Sequence, residues 1–151
     1  GLNREKWIPN PSCTKSIHLQ LYEFIGVLMG MCLRTKQALS FDFPSLIWKQ
    51  LLNEKIDITD LENIDKLCVQ ALDELQKVNP DQFEYIVYEK FNTILSNGEQ
   101  IELKQNGNNV DVTIDNLQEF VSLVIKKRLN ESKKQIKAIQ KGLNQIISIK
   151  M

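Results

Sequence analysis

Residues 17–52, IHLQLYEFIGVLMGMCLRTKQALSFDFPSLIWKQLL, constrain the fold more than any other stretch of this chain. Leu21, Phe24, Ile25, Leu28 and Cys32 recur at helical spacing. Val27, Met31 and Leu33 make the remaining sides apolar too, which predicts a helix buried at the centre of the fold. Gly26 and Gly30 lie one turn apart on it. Each costs up to ~1 kcal/mol of helix propensity relative to alanine, so close approach of another element to that face is the expected compensation. Approach of a ligand is the other use of such a surface. Ser16 is the expected N-cap, and Arg34 and Lys36 suit the negative end of the helix dipole. The stretch holds no catalytic group.

The rest of the chain reads as elements packed around this helix. Trp7, Pro9 and Pro11 predict an extended lead-in, because proline and the residue before it disfavour helix. Pro44 opens a second helix, with Ile47, Trp48, Leu51 and Leu52 on one face and Asn53 at its end. Thr59 and Glu62 match a capping box for a third, in which Leu61, Ile64, Cys68, Leu72 and Leu75 face inward. The carboxylates Asp57, Asp60, Glu62, Asp65, Asp73 and Glu74 are expected on its solvated face, since nothing in their spacing makes them converge on a metal or an acid/base site. Asn79 and Pro80 start a short helix.

The period then changes to two. Two short alternating runs flank Ser96-Asn97-Gly98-Glu99, the strongest hairpin signal in the chain, and residues 110–113 predict a further strand. Asp115 and Gln118 resemble a capping pair for the helix carrying Leu117, Phe120, Val121, Val124 and Leu129. A last helix after Asn130 carries Ile136, Ile139, Leu143, Ile146 and Ile147, with Gly142 inside it. The fold class is therefore α+β, predominantly helical, with a small β-hairpin.

At 151 residues, 42% hydrophobic and 25% charged, the chain fits one globular domain. Cys13, Cys32 and Cys68 have no CxxC spacing and read as free thiols in a reducing compartment. One histidine, His18, supplies neither a zinc ligand set nor a base for a catalytic cysteine, and no glycine-rich phosphate loop is present, so no metal and no cofactor is expected. The first residues lack the apolar region of a signal peptide. Residues 21–33 fall short of the ~20 residues a bilayer span needs. A soluble protein of the cytoplasm is expected, the nucleus being open to it too, with no membrane partner.

From Val121 onward eight basic residues face the single acid Glu131, a charge of +7, while the first 120 residues carry 11 basic and 18 acidic residues, a charge of −7. Lys126, Lys127, Arg128, Lys133, Lys134, Lys137 and Lys141 could thus meet an acidic partner or nucleic acid. Without interleaved aromatics or a nucleic-acid motif, a solvated helix face is the favoured reading, and nucleic acid is not an expected partner.

Several separated motifs resemble the N-terminal lobe of HECT-type ubiquitin ligases. They begin with Trp7-Ile8-Pro9-Asn10-Pro11, His18-Leu19 and the run from Tyr22 through Phe24-Ile25-Gly26-Val27-Leu28-Met29-Gly30. Arg34-Thr35-Lys36 and Ile47-Trp48-Lys49-Gln50-Leu51 follow, in wording similar to the large HERC-type members. Leu61 to Asp65 resembles the family's "LEDID", and Glu102-Leu103-Lys104 with Gly107 its "ELKPGG" hairpin. Val112-Thr113, Asn116 and Glu119-Phe120-Val121 resemble "VT..N..EYV"; Arg128-Leu129-Asn130 and Lys141-Gly142 fall where the family has "RLN" and "KG".

The resemblance implies a ligase that takes ubiquitin from a conjugating enzyme onto its own cysteine as a thioester and passes it to substrate lysines. Ubiquitin and a conjugating enzyme are the implied partners. The nucleophile belongs to a Thr-x-x-Cys-Phe-type motif of a C-terminal lobe, absent from these residues, so no catalytic residue is assigned to Cys13, Cys32 or Cys68. Residues 1–151 correspond to the large subdomain of the N-lobe, without the conjugating-enzyme-binding subdomain or the catalytic lobe, and are expected to be inactive alone. Some family members hold a second ubiquitin through an aromatic residue on the helix equivalent to residues 44–52. Trp48 stands at that place, where that group has tyrosine; packing is its alternative role. From another class of function, the rival to the ligase is a stand-alone helical protein-interaction module.

Overall fold

The computed structural model describes residues 6–37 and 40–148. In chain order its elements are α1 (Ser16–Thr35), α2 (Ser45–Leu51), α3 (Ile58–Ile64), α4 (Lys66–Gln76), α5 (Phe83–Ile86), β1 (Asn92–Ile94), β2 (Gln100–Glu102), α6 (Leu117–Leu129) and α7 (Lys133–Ile146), with single 3-10 turns at Pro80–Gln82 and Gly107–Asn109. This is the predominantly helical α+β arrangement the sequence predicts. The chain forms two compact units: Asp57–Glu131, and a second joining the residues before Asp57 to those after Glu131.

In the second unit α1 lies along α7, and three glycines set the distance between them. A Cβ on Gly142 would come within 2.8 Å of the Glu23 carbonyl carbon and 2.9 Å of Val27 N. One on Gly26 would meet Leu143 N at 2.8 Å, and one on Gly30 the Ile146 side chain at 2.7 Å. The expected close approach is therefore a helix, received by glycines on both partners. Met29, Ile47, Leu51, Ile136, Ile139 and Leu143 form the buried core of this unit. The lead-in is fastened to α7 by side chains: Ser132 Oγ donates to Pro9 O at 2.9 Å, and Gln135 Nε2 to Pro11 O and Cys13 O at 3.3 and 3.2 Å.

The expectation that α1 is buried all round is corrected. Only Gly26, Met29 and Gly30 are fully buried, while Leu21 and Phe24 are 57% exposed and Leu33 63%. The glycine face concentrates contact on one side, and apolarity of the other does not bring it a neighbour within this unit. With 20 residues and a mean hydropathy of 1.4 in its most apolar window, α1 is also long and apolar enough to cross a membrane by length and composition, more so than the 13-residue run suggested. It lies, however, along a helix whose outer face carries Lys133, Lys134, Lys137 and Lys141, with Lys141 paired to Glu23 at 3.6 Å.

In the first unit Leu72, Phe83, Phe91, Val112, Leu117, Phe120, Val121 and Val124 form the core. The hairpin pairs Asn92 with Glu102, Thr93 with Ile101 and Ile94 with Gln100, antiparallel. Its loop closes with Gly98 N–H on Leu95 O and Leu95 N–H on Glu99 O, with Gly98 left-handed at φ 84°, a turn plus bulge that favours glycine there. Residues 110–113 form no strand; Asp111 makes one isolated bridge to Lys90, because the Lys90–Asp111 ion pair and Asn116, whose Oδ1 accepts from Thr113 N, fix that segment in an irregular path.

Helix starts differ from expectation in instructive ways. Asp57 and Asp60, not Thr59 and Glu62, form the capping box: Asp57 accepts from the Thr59 and Asp60 amides while Asp60 Oδ2 accepts from Asp57 N at 2.9 Å. Asp60 is accordingly buried rather than solvated. The single third helix is two, because Asp65 leaves helical geometry and its Oδ1 accepts from Cys68 N, starting α4 afresh. Asn116, not Asp115, precedes α6, Lys15, not Ser16, is the N-cap of α1, and Pro44 is the N-cap of α2 rather than its first residue. Asn79 and Pro80 do start a turn, with Asn79 Oδ1 accepting from Asp81 N at 3.0 Å.

Candidate functional site

Trp48, the one site residue expected from sequence, sits on a helix held in place from behind. Leu46, Ile47 and Leu51 are buried and fix which side of α2 faces inward. At its C-terminal end Gln140 Nε2 lies within donating distance of the Gln50 and Leu51 carbonyls at 3.1 Å and of Asn53 Oδ1 at 3.2 Å, tying the last turn of α2 to α7. Asn53 turns the chain away at φ 57°. The Trp48 ring meets Phe43 edge-on, centroids 5.6 Å apart, and is 37% exposed; Leu52, one turn on, is 54% exposed. Trp48 is thus covered over more than half of its surface, in part by Phe43, and offers the remainder to solvent beside a second apolar side chain.

The three cysteines are free and only partly buried. Cys68 lies in a cleft of about 720 Å³ between α4 and β1, with Leu72, Leu75, Ile94, Phe120 and Arg128 among its walls. Burial pushes the Cys68 thiol up, against a smaller downward pull from Arg128, which is the wrong direction for a nucleophile. Burial likewise raises Tyr22, whose hydroxyl oxygen accepts from Asn10 N at 3.1 Å. Among the described residues no group of three or more His, Cys, Asp or Glu side chains could hold a metal ion.

One member of the basic stretch, Arg128, does not face solvent as its sequence suggested. Arg128 is 5% exposed, with Nη1 on Asp65 Oδ2 at 2.9 Å and Nε 3.8 Å from Glu131 Oε1. Glu131 also accepts from Ser96 N at 3.0 Å, so Arg128 ties α4, α6 and the hairpin of one unit together. Counting it with the lysines concealed this. The available signal was an arginine in the last turn of a helix, three residues before the only acid of the region. The lysines at 126, 127, 133, 134, 137 and 141 are exposed, as a solvated face requires.

The chain matches the HECT-domain (ubiquitin-transferase) family over residues 2–151. It belongs to that family. The E3 ubiquitin-protein ligase HERC2 of Mus musculus is 29% identical over 151 residues, covering 99% of this chain and 3% of that protein. A putative E3 ubiquitin-protein ligase of Plasmodium falciparum (isolate 3D7) is 33% identical over 143 residues, 89% of this chain and 1% of that protein. The E3 ubiquitin-protein ligase Nedd-4 of Drosophila melanogaster is 29% identical over 135 residues, 89% of this chain and 13% of its own length. The HECT match thus covers nearly every residue here, while the chain spans only a small part of each relative.

Proposed function

We propose that these residues are the structural scaffold, the large subdomain of the N-terminal lobe, of a cytoplasmic HECT-type ubiquitin ligase. The observation that carries the reading is the family match along the whole chain. In the proposed reaction a cysteine thiolate attacks the thioester carbonyl of ubiquitin on a conjugating enzyme, whose own thiolate leaves; a neutral substrate lysine amine then attacks the new thioester, the ligase thiolate leaves, and the amine gives up a proton as the amide forms. The raised Cys68 thiol and the absence of a Thr-x-x-Cys-Phe sequence in residues 1–151 support a nucleophile outside this stretch, so these residues alone do not transfer ubiquitin. What they supply is rigidity: a glycine-seated helix pair and a clamped α2. Trp48, with Leu52, is the proposed contact for a second, non-covalent ubiquitin, supported by the exposure of both side chains on that clamped helix.

The reading is tested on the longer protein that contains this chain. Incubated with ubiquitin and a panel of conjugating enzymes, it should form a ubiquitin adduct that reductant removes and that survives replacement of Cys13, Cys32 and Cys68 by serine. Absence of any such adduct overturns the ligase, and its loss with one of the three substitutions overturns the scaffold role. The Trp48 contact is tested separately by titrating isotope-labelled protein with ubiquitin. Unmoved Trp48 indole and Leu52 resonances would remove it.

A further inference from the structure

The chain contains two Asn-Gly pairs, and the structure treats them in opposite ways. Asparagine followed by glycine is chemically labile, because the glycine amide nitrogen carries no neighbouring Cβ to shield it from the asparagine side chain. We infer that Asn97 is a site of spontaneous deamidation and isoaspartate formation in the folded protein, and that Asn106 is protected from it. In the reaction the Gly98 amide nitrogen loses its proton to solvent base and attacks Asn97 Cγ. The new N–Cγ bond closes a succinimide, the Cγ–Nδ2 bond breaks, and the amide nitrogen leaves as ammonia. Water then opens the ring at either carbonyl, giving aspartate or isoaspartate. No oxidant or reductant takes part.

Asn97 and Gly98 stand at the exposed tip of the β1–β2 hairpin. Its chain neighbours apart, nothing lies within 4 Å of where a Gly98 Cβ would be, so no other part of the chain packs against this glycine. The Asn97 side chain already folds over the turn, with Oδ1 accepting from Glu99 N at 3.0 Å. One bond restrains the nucleophile, Gly98 N–H to Leu95 O at 2.9 Å. It sits at the end of two three-residue strands, where local opening costs little.

Asn106 differs in what packs around its glycine, although each glycine N–H makes one hydrogen bond at 2.9 Å. Gly107 is buried, and a Cβ there would come within 3.3 Å of the Phe91 side chain and closer to the Phe91 backbone. Its N–H donates to Lys104 O at 2.9 Å, and its carbonyl accepts from both Phe91 N and Val110 N at 3.1 Å. Opening the turn at Gly107 therefore disturbs a residue packed on Phe91, a fully buried member of the core, and strains the bonds to its carbonyl as well as the one from its nitrogen. Conversion of Asn97 adds a carboxylate beside Glu99, next to the Ser96–Glu131 hydrogen bond, so the product differs in charge at the hairpin tip.

The test is incubation at mildly alkaline pH in water labelled with heavy oxygen, followed by tryptic mass mapping. Cleavage after Lys90, Lys104 and Lys126 puts Asn97 in the peptide of residues 91–104 and Asn106 in that of residues 105–126. Under native conditions Asn97 should convert roughly tenfold or more faster than Asn106, since opening a loop tip costs less than opening a packed turn. In concentrated urea the two should approach one another. Equal rates in the native protein, faster conversion at Asn106, or no conversion at Asn97 over the time in which the urea sample converts would each overturn the inference.

Discussion

The seam between α1 and α7 makes a prediction whose sign is opposite to helix propensity. Gly142→Ala places a methyl in the middle of α7, where propensity alone would stabilise by up to ~1 kcal/mol. The Cβ would lie 2.8 Å from the Glu23 carbonyl carbon and 2.9 Å from Val27 N, and closer still to Glu23 O. These are backbone atoms of α1, so no side chain can rotate away. Restoring ordinary contact with the carbonyl carbon at about 3.5 Å requires the helices to part by roughly 0.7 Å, and clearing the nearer Glu23 O requires more, so a quarter to a half or more of each van der Waals well along the seam is forfeited. Overpacking against well-fixed neighbours costs about 1–3 kcal/mol or more, which outweighs the propensity gain. The expected net loss is about 1–2 kcal/mol, a sizeable part of the roughly 5–15 kcal/mol that holds a domain folded. Urea unfolding followed by far-UV circular dichroism reads it as a lower midpoint with an unchanged slope. Gly26→Ala should behave alike, whereas Gly30→Ala, which meets only the Ile146 side chain, should cost less. A Gly142→Ala protein as stable as the parent would refute the idea that glycine sets the spacing of these helices.

The same assay addresses three other features. Asp57→Ala should cost about 1 kcal/mol as the loss of a cap, while Thr59→Ala should cost a few tenths, and equal losses would contradict the Asp57–Asp60 capping box. Arg128→Met should cost about 3–5 kcal/mol, because it strands the Glu131 carboxylate, 4% exposed, as well as Asp65; Arg128→Lys should recover only part, since an ammonium cannot reproduce the guanidinium fork. Cys68 and Tyr22 keep their protons to higher pH in the folded chain than their ordinary values of 9.0 and 10.0. Above those values the unfolded chain releases protons that the folded one retains, so stability falls as pH rises. Cys68→Ala should blunt that alkaline loss, and an unchanged profile would show that burial of this thiol does not contribute.

What was legible in the sequence is what depends on local pattern and on cost. Gly26 and Gly30 interrupt a helix at one-turn spacing, a placement that weakens the helix unless something approaches it, and α7 does. The hairpin was legible because Asn97-Gly98 between alternating runs has few other ways to fold. Family resemblance was legible for another reason: many short motifs kept their order across the chain, and the HECT match covers residues 2–151. Trp48 is proposed from that resemblance alone, since its spacing on α2 fits packing equally well.

The features that escaped are those in which two residues of the same chemistry compete and a distant contact decides. Asp57 and Thr59 are both good caps, two residues apart, and either choice is followed by an acid at the third position. Asp57 prevails because its partner Asp60 is the residue that becomes buried, where a carboxylate needs the backbone N–H that Asp57 offers; Glu62 stays exposed. Asp65 shows the same logic at larger range. On a helix map it continues the stripe's polar side, yet Arg128, 63 positions later, holds its Oδ2 while its Oδ1 caps α4. An acid gripped from one side by a buried guanidinium can spend its other oxygen on a backbone amide, and breaking the helix there makes that amide available. The break between α3 and α4 is thus set by the capping oxygen of Asp65, on a side chain steadied by an arginine that composition alone would assign to a solvated basic face. Replacing Asp65 by asparagine keeps an acceptor for Cys68 N but removes the charge facing Arg128, so it should preserve the break while lowering stability; the break would then show as an Asp65-position amide that stays outside helical chemical shifts. A continuous helix through residues 58–76 in that variant would mean that the charge on Asp65, and not its capping oxygen, interrupts the helix.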